Sequence, residues 1–228
     1  LRAALEAQNE GANVAIITKV HPVRSHSNAA QGGINAALTD RGDTWEEHAY
    51  ETVKGSDYLG DQDAIEVLAE EAGRAIIDME HMGVIFSRNE DGQLGTRNFG
   101  GQQRARTFFV ADFTGQAMLH VMYEQIMKAG TRVYEEWFVS SLIMENGECH
   151  GVVAIEMMSG KTQLIKAKAV IMASGGLGRL YEPTTNALIC TGDGIALSYN
   201  VGAPLIDMEM VQYHPTTLKS NGVLITEA

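Results

Sequence analysis

Apolar positions recur at helical spacing through the first half of the chain and change to alternation in the second. Leu1, Ala4 and Leu5 predict a helix over residues 1–10, with Gly11 ending it and Asn13–Thr18 following as a short buried strand. Helix, glycine, apolar strand is the second half of a βαβ unit. The Gly-rich turn that opens such a helix would stand before Leu1. The chain begins in mid-helix without Met and stops after Leu224-Ile225-Thr226-Glu227, so it reads as a piece of a longer protein. Trp45–Gly55, Asp61–Met82 and Thr114–Ala129 carry amphipathic helical patterns, the last with Thr114 as its expected N-cap. Pro22–Asn35 and Val84–Gly101 are irregular and turn-rich.

From Arg132 the period shortens toward two. Val133–Val139, Ser141–Glu145, Gly151–Met157 and Thr162–Lys166 predict strands of a meander, joined by turns at Asn146-Gly147 and Ser159-Gly160. Ala169–Ala173 reads as a buried strand running into Ser174-Gly175-Gly176, and a helix follows around Gly194–Asn200. The sum is an α/β core with a small antiparallel insert.

Composition narrows the function classes. With 228 residues, 45% hydrophobic, 20% charged, 24 Gly and 4 Pro, the chain is neither disordered nor collagenous. Its net charge of −12 argues against nucleic acid, whose phosphates call for clustered Lys and Arg. No apolar run approaches the ~18 residues of a membrane helix. Cys149 and Cys190 stand alone, without metal-ligand spacing. His48, His81, His120 and His150 have no partner spacing and read as structural or surface residues.

Five places have the residue types for chemistry. Thr18-Lys19 closes the first strand, where dinucleotide folds usually set an acid against a ribose. Arg24-Ser25-His26-Ser27-Asn28-Ala29-Ala30-Gln31-Gly32-Gly33 combines small residues, which let backbone approach a flat or phosphorylated ligand, with an imidazole nucleophile; it equally reads as a solvated loop. Ala173-Ser174-Gly175-Gly176 and Thr191-Gly192-Asp193-Gly194 suit a dinucleotide or flavin, Asp193 accepting from ribityl hydroxyls, or are two Gly turns with Asp193 as a helix cap. Arg97-Asn98-Phe99-Gly100-Gly101 sets an aromatic beside two glycines, as a planar ligand or a plain turn requires. His214, Thr226 and Glu227 fall within fourteen residues and suit a carboxylic acid substrate, or form a polar loop.

Several of these strings together resemble one family. RSHSNAAQGGINAAL (Arg24–Leu38), FGG (Phe99–Gly101), RTFFVADFTG (Arg106–Gly115), ASGGLGRLY (Ala173–Tyr181), TGDG (Thr191–Gly194), DMEMVQYHPT (Asp207–Thr216) and LITEA (Leu224–Ala228) are collinear. They resemble the flavoprotein subunit of succinate dehydrogenase and quinol:fumarate reductase over the whole chain. The resemblance implies a Rossmann-like, glutathione-reductase-type FAD-binding domain with an antiparallel meander over residues 1–206, and the start of a capping domain over 207–228. It implies that His26 bonds the flavin 8α carbon and raises its potential. Thr18, Lys19, Ser25, Ser27, Gln31, Gly32, Gly33, Ala173 and Asp193 would hold FAD. Phe99, His214 and Thr226 would meet the succinate or fumarate carboxylates, and Glu227 would belong to the proton relay. Ser27-Asn28 stands where the family usually has Thr-Xaa, and Thr217 where it has Gly. The proton-shuttling Arg of the family is not among these 228 residues, so this stretch alone is expected to be inactive.

The implied partners are an iron–sulfur subunit that takes the electrons and, beyond it, membrane anchor subunits. The implied location is peripheral, on the cytoplasmic side of an inner membrane or the mitochondrial matrix side. L-aspartate oxidase and soluble fumarate reductase share the Gln-Gly-Gly loop but hold FAD non-covalently and generally lack a histidine at the position of His26. A non-catalytic flavin-binding or assembly module is the alternative of another class; the set His214, Thr226 and Glu227 argues against it.

Overall fold

The computed structural model describes residues 1–214 and 216–220. In chain order its elements are α1 (Arg2–Asn9), β1 (Ala15–Thr18), β2 (Ile34–Asn35), α2 (Trp45–Gly55), α3 (Gln62–Met82), β3 (Thr96–Arg97), β4 (Thr107–Phe108), α4 (Thr114–Lys128), β5 (Arg132–Glu135), β6 (Trp137–Glu145), β7 (Glu148–Glu156), β8 (Thr162–Lys166) and α5 (Asp193–Asn200). The mixed α/β content agrees with the sequence pattern. The chain gathers into two compact units: Leu1–His26 with the chain from Ile126 onward, and Ser27–Gln125.

In the first unit, Gly11 at φ +84 turns the end of α1 toward β1, a conformation that glycine adopts without a Cβ penalty. β1 runs parallel to β5, Ala15 opposite Arg132 and Thr18 opposite Glu135. The Gln8 side chain donates to the Ala129 carbonyl at 2.6 Å and accepts from the Thr131 hydroxyl, tying α1 to the turn before β5. The alternating stretch from residue 133 to 139 is not one strand. Glu136 sits at φ +60, and there the chain leaves the parallel pair and enters the antiparallel meander β6-β7-β8. Asn146 (φ +53) and Gly147 (φ +83) form the two-residue turn between Glu145 and Glu148, as a right-twisted hairpin favours. Val152 and Ala154 alternate into the buried face of β7.

The segment Ala169–Ala173 departs from expectation. It carries no strand, and Ile171 is 69% exposed. A buried strand needs a neighbour on its ladder, and none of the described strands pairs with it. Its residues are apolar, but the pairing that would bury them is not made among the described residues.

In the second unit, the Thr44 hydroxyl accepts from the Glu47 amide at 3.2 Å and the Asp61 carboxylate from the Ala64 amide at 3.2 Å, starting α2 and α3. Gly83 at φ +117 ends α3. A three-stranded sheet of order β2-β4-β3 packs Phe108 with Ala36, Ile76, Val84, Phe86, Leu94 and Val110 in a buried core. Each large apolar side chain buried there contributes ~1.5–3 kcal/mol before entropy costs. Phe86 meets Phe108 edge to face, centroids 6.5 Å apart. Thr114 opens α4, but its hydroxyl accepts from the Val110 amide at 3.0 Å and so fastens the preceding loop.

Candidate functional site

Within the first unit, three of the sequence candidates meet. Lys19 follows β1, and its ammonium donates to Asp193 Oδ2 at 2.5 Å, Thr191 Oγ1 at 2.7 Å and the Ile189 carbonyl at 2.9 Å. Asp193 is the first residue of α5; Gly192 (φ +74) holds the N-cap position and supplies no side-chain cap. The Thr18 hydroxyl is spent locally on the Val20 carbonyl at 2.7 Å. The Gly192 amide donates to the Gly176 carbonyl at 3.2 Å, and a Cβ on Gly194 would stand 1.8 Å from Ser174 Oγ. The absent side chain is what lets α5 start directly on the segment after Ala173. Gly175, at φ +75, and Gly176 have no atom within 4 Å of where a Cβ would stand, and the backbone from Ala173 to Gly176 is exposed.

His26 belongs to the same unit and is exposed. Its Nδ1 accepts from the Ala187 amide at 3.2 Å. Nδ1 therefore carries the lone pair of the neutral ring, and the proton of that tautomer is on Nε2. Nε2 has no hydrogen bond among the described residues. Ser25 ends the 3-10 turn Pro22–Arg24, its amide bonded to the Pro22 carbonyl.

Within the second unit, Ser27, Gln31, Gly32 and Gly33 form a loop fixed by its backbone. Arg97 donates to the Gln31 carbonyl at 3.0 Å and to the Gly32 carbonyl at 2.6 Å, while its guanidinium lies over the Phe109 ring, 4.6 Å from the centroid. Gly33 is at φ +113, and a Cβ there would fall 2.5 Å from the Phe108 carbonyl oxygen. Gly115, in the first turn of α4, comes so near Ser27 that a Cβ would meet the Ser27 carbonyl at 1.9 Å; its amide bonds the Ala30 carbonyl at 2.9 Å. Phe99 is half-buried, its amide bonded to Gln102 Oε1 at 3.0 Å. Gln102 Nε2 donates to Thr107 Oγ1 at 3.0 Å, and Thr107 to Asn35 Oδ1 at 2.6 Å. Sequence reasoning passed over Arg97 as a clamp, although it named the Arg97–Gly101 string. It passed over the Gln102–Thr107–Asn35 chain, which no local pattern marks.

The same unit holds a buried ionic cluster. Arg106, 1% exposed, makes two bonds of 2.9 Å to Asp43 and one of 2.8 Å to Glu51. His48 is also buried, with Nδ1 unpartnered among the described residues. Burial, and then the Arg106 charge, push its pKa below 6.5 against the opposing pull of Asp43 and Glu51. A cavity of about 370 Å³ is lined by Arg41, Asp43, Asn89, Thr96 and Arg106 among others.

His214 lies in the irregular chain after α5, and its Nδ1 accepts from the Thr216 amide at 3.2 Å. Thr226 and Glu227 lie outside the described residues. No cluster of potential metal ligands occurs among the described residues.

Comparison with known proteins finds similar chains. A family model described as an FAD binding domain matches residues 1–228. The chain is 49% identical to a succinate dehydrogenase flavoprotein subunit of Rickettsia bellii, covering all of this chain and 40% of the relative. It is 47% identical to a fumarate reductase flavoprotein subunit of Mycobacterium tuberculosis, covering 99% of this chain and 39% of the relative. A solved E. coli quinol fumarate reductase chain superposes with a TM-score of 0.94 at 40% identity, over 98% of this chain and 38% of that one. The chain thus spans about two fifths of the length of the curated relatives it matches.

Proposed function

The chain belongs to the FAD binding domain family, and from that premise we propose that it is the flavin-holding part of a flavoprotein subunit interconverting succinate and fumarate. In this reading it takes the glutathione-reductase-type architecture, with a capping domain beginning near residue 207. FAD supplies the hydride acceptor or donor at its N5. The observation that carries the reading is His26: an exposed imidazole anchored by the Ala187 amide, in the unit that also holds the exposed Gly175-Gly176 turn and the Lys19–Asp193 pair.

The donor set suits the group. Exposed backbone at Ser174–Gly176 leaves room for a flat or phosphorylated ligand. Asp193 is placed to accept from ligand hydroxyls, and Ala173 is exposed beside it in the chain segment tied to α5. His26 forms the covalent link. Ser25 and Ser27 flank it, Thr18 ends the strand before it, and Gln31, Gly32 and Gly33 present backbone held by Arg97. Phe99 lines the substrate face. His214 and Thr226 hold the substrate carboxylates, and Glu227 relays the proton to an arginine supplied from elsewhere in the full-length protein. Electrons leave to an iron–sulfur subunit, and membrane anchor subunits hold the assembly peripherally at a membrane's inner face. No helix among the described residues is long and apolar enough to cross a membrane.

The test is peptide mapping of the full-length protein. Trypsin releases Ser25–Arg41, which has no internal Lys or Arg. That peptide heavier by one FAD, with the bond at His26, is the expected result. An unmodified peptide from protein with extractable yellow FAD would overturn covalent attachment and turn the reading toward the non-covalent L-aspartate oxidase or soluble fumarate reductase type.

A further inference from the structure

The acid that dinucleotide folds commonly place at a strand end is missing after β1, where Thr18 is followed by Lys19. The structure supplies a carboxylate at the same place from far along the chain. Lys19 has three ammonium donors, and three acceptors take them: Asp193 Oδ2 at 2.5 Å, Thr191 Oγ1 at 2.7 Å and the Ile189 carbonyl at 2.9 Å. The Thr191 hydroxyl in turn donates to the Asp193 carboxylate at 2.9 Å, closing a ring of three side chains. The Lys19 and Asp193 side chains are 27% and 31% exposed, shielded enough for the pair to be screened less than a surface one. Among the described residues Asp193 Oδ1 accepts only from the Thr191 hydroxyl, at 3.0 Å, sharing its one proton with Oδ2, and a carboxylate oxygen has capacity for a second donor.

We infer that Lys19 is a positioning residue, which holds the carboxylate of Asp193 at the end of β1 so that it accepts from a hydroxyl group of bound FAD. The inference rests on the flavin reading above and adds to it a division of labour. Asp193 contacts the ligand. Lys19 orients Asp193 and offsets its charge beside an anionic dinucleotide. Thr191 locks the two together.

A double-mutant cycle in the full-length protein tests it. His26→Ala makes flavin binding reversible, and affinity is read from the quenching of flavin fluorescence. In that background Lys19→Met and Asp193→Asn each weaken FAD about tenfold, the scale of one charged hydrogen bond. The double variant also loses only about tenfold, because both changes dismantle one arrangement. Lys19→Arg, which keeps the charge in a different donor geometry, recovers part of the affinity lost in Lys19→Met; this partial rescue separates orientation of the carboxylate from simple filling of space. Where Lys19→Met does not fold, Lys19→Gln enters the same cycle. A hundredfold loss in the double variant, or parental affinity in both Lys19→Met and Lys19→Gln, overturns the positioning role. A full-length parent protein that carries no FAD, covalent or extractable, overturns the flavin reading beneath it.

Discussion

A single backbone amide sets the state of His26. The Ala187 N–H occupies Nδ1, which orients the ring and leaves Nε2 the nitrogen without a partner among the described residues. In the proposed function this makes Ala187, through its backbone N–H, a determinant of flavin attachment. Ala187→Pro removes the donor. The fraction of full-length protein carrying covalent flavin, read as fluorescence on a denaturing gel, is expected to fall several-fold. An unchanged fraction would show that the imidazole is oriented by something else. The residue scale also shows where local reading stops. Arg97 clamps two carbonyls of the loop at Gln31 and Gly32, 66 and 65 positions away in the chain, and sequence spacing carries no trace of that separation.

Among the elements, α3 shows a close approach that one missing side chain permits. Gly73 lies in the interior of the helix, where alanine would be favoured by about 1 kcal/mol on propensity alone. A Cβ there would stand 2.8 Å from the Ala37 carbonyl oxygen and 3.2 Å from Leu38 Cδ2. Backbone cannot yield as a flexible side chain does, and overpacking costs about 1–3 kcal/mol. Packing therefore outweighs propensity. Gly73→Ala is expected to lower stability by about 1–2 kcal/mol in urea unfolding, where an isolated α3 peptide with the same change would gain helicity. The two strands read before Asn146 illustrate the converse. Alternation was legible there, but the backbone break at Glu136, which assigns β5 to a parallel pair and β6 to the meander, was not. Alternation tells which side chains share a face; it does not tell which strand lies alongside.

At the scale of the molecule, the second unit buries an ionic cluster. Arg106 is nearly inaccessible and satisfies both Asp43 and Glu51. Arg106→Met leaves two acids without their partner and is expected to cost about 3–5 kcal/mol, measured by denaturant unfolding. Arg74, exposed and paired with Asp78 at 3.9 Å on α3, is the control: Arg74→Ala is expected to change stability by no more than about 1 kcal/mol. His48 adds a pH dependence. Its pKa in the fold lies below 6.5, so the unfolded chain binds the extra proton first. Its contribution is whole above pH 6.5 and is lost as pH falls below that value toward the lower folded pKa. The melting temperature is expected to drop on acidification from about pH 7.5 to about pH 5.5, and His48→Gln to reduce that drop; equal drops in both proteins would remove His48 as the cause.

Periodicity and glycine placement determined by themselves the helices, the alternating faces of the strands and the Asn146-Gly147 turn. These depend on neighbours a few positions apart, and their physical causes are local. The tertiary structure alone decided that Asp193 pairs with Lys19, that Ala187 holds His26, that Arg106 is buried between two acids, and that Ala169–Ala173 finds no strand beside it among the described residues. Each of these is a contact across many tens of positions, or the lack of one. Such contacts are set by how whole elements bury their apolar faces, a sum over the fold that no short window of sequence contains.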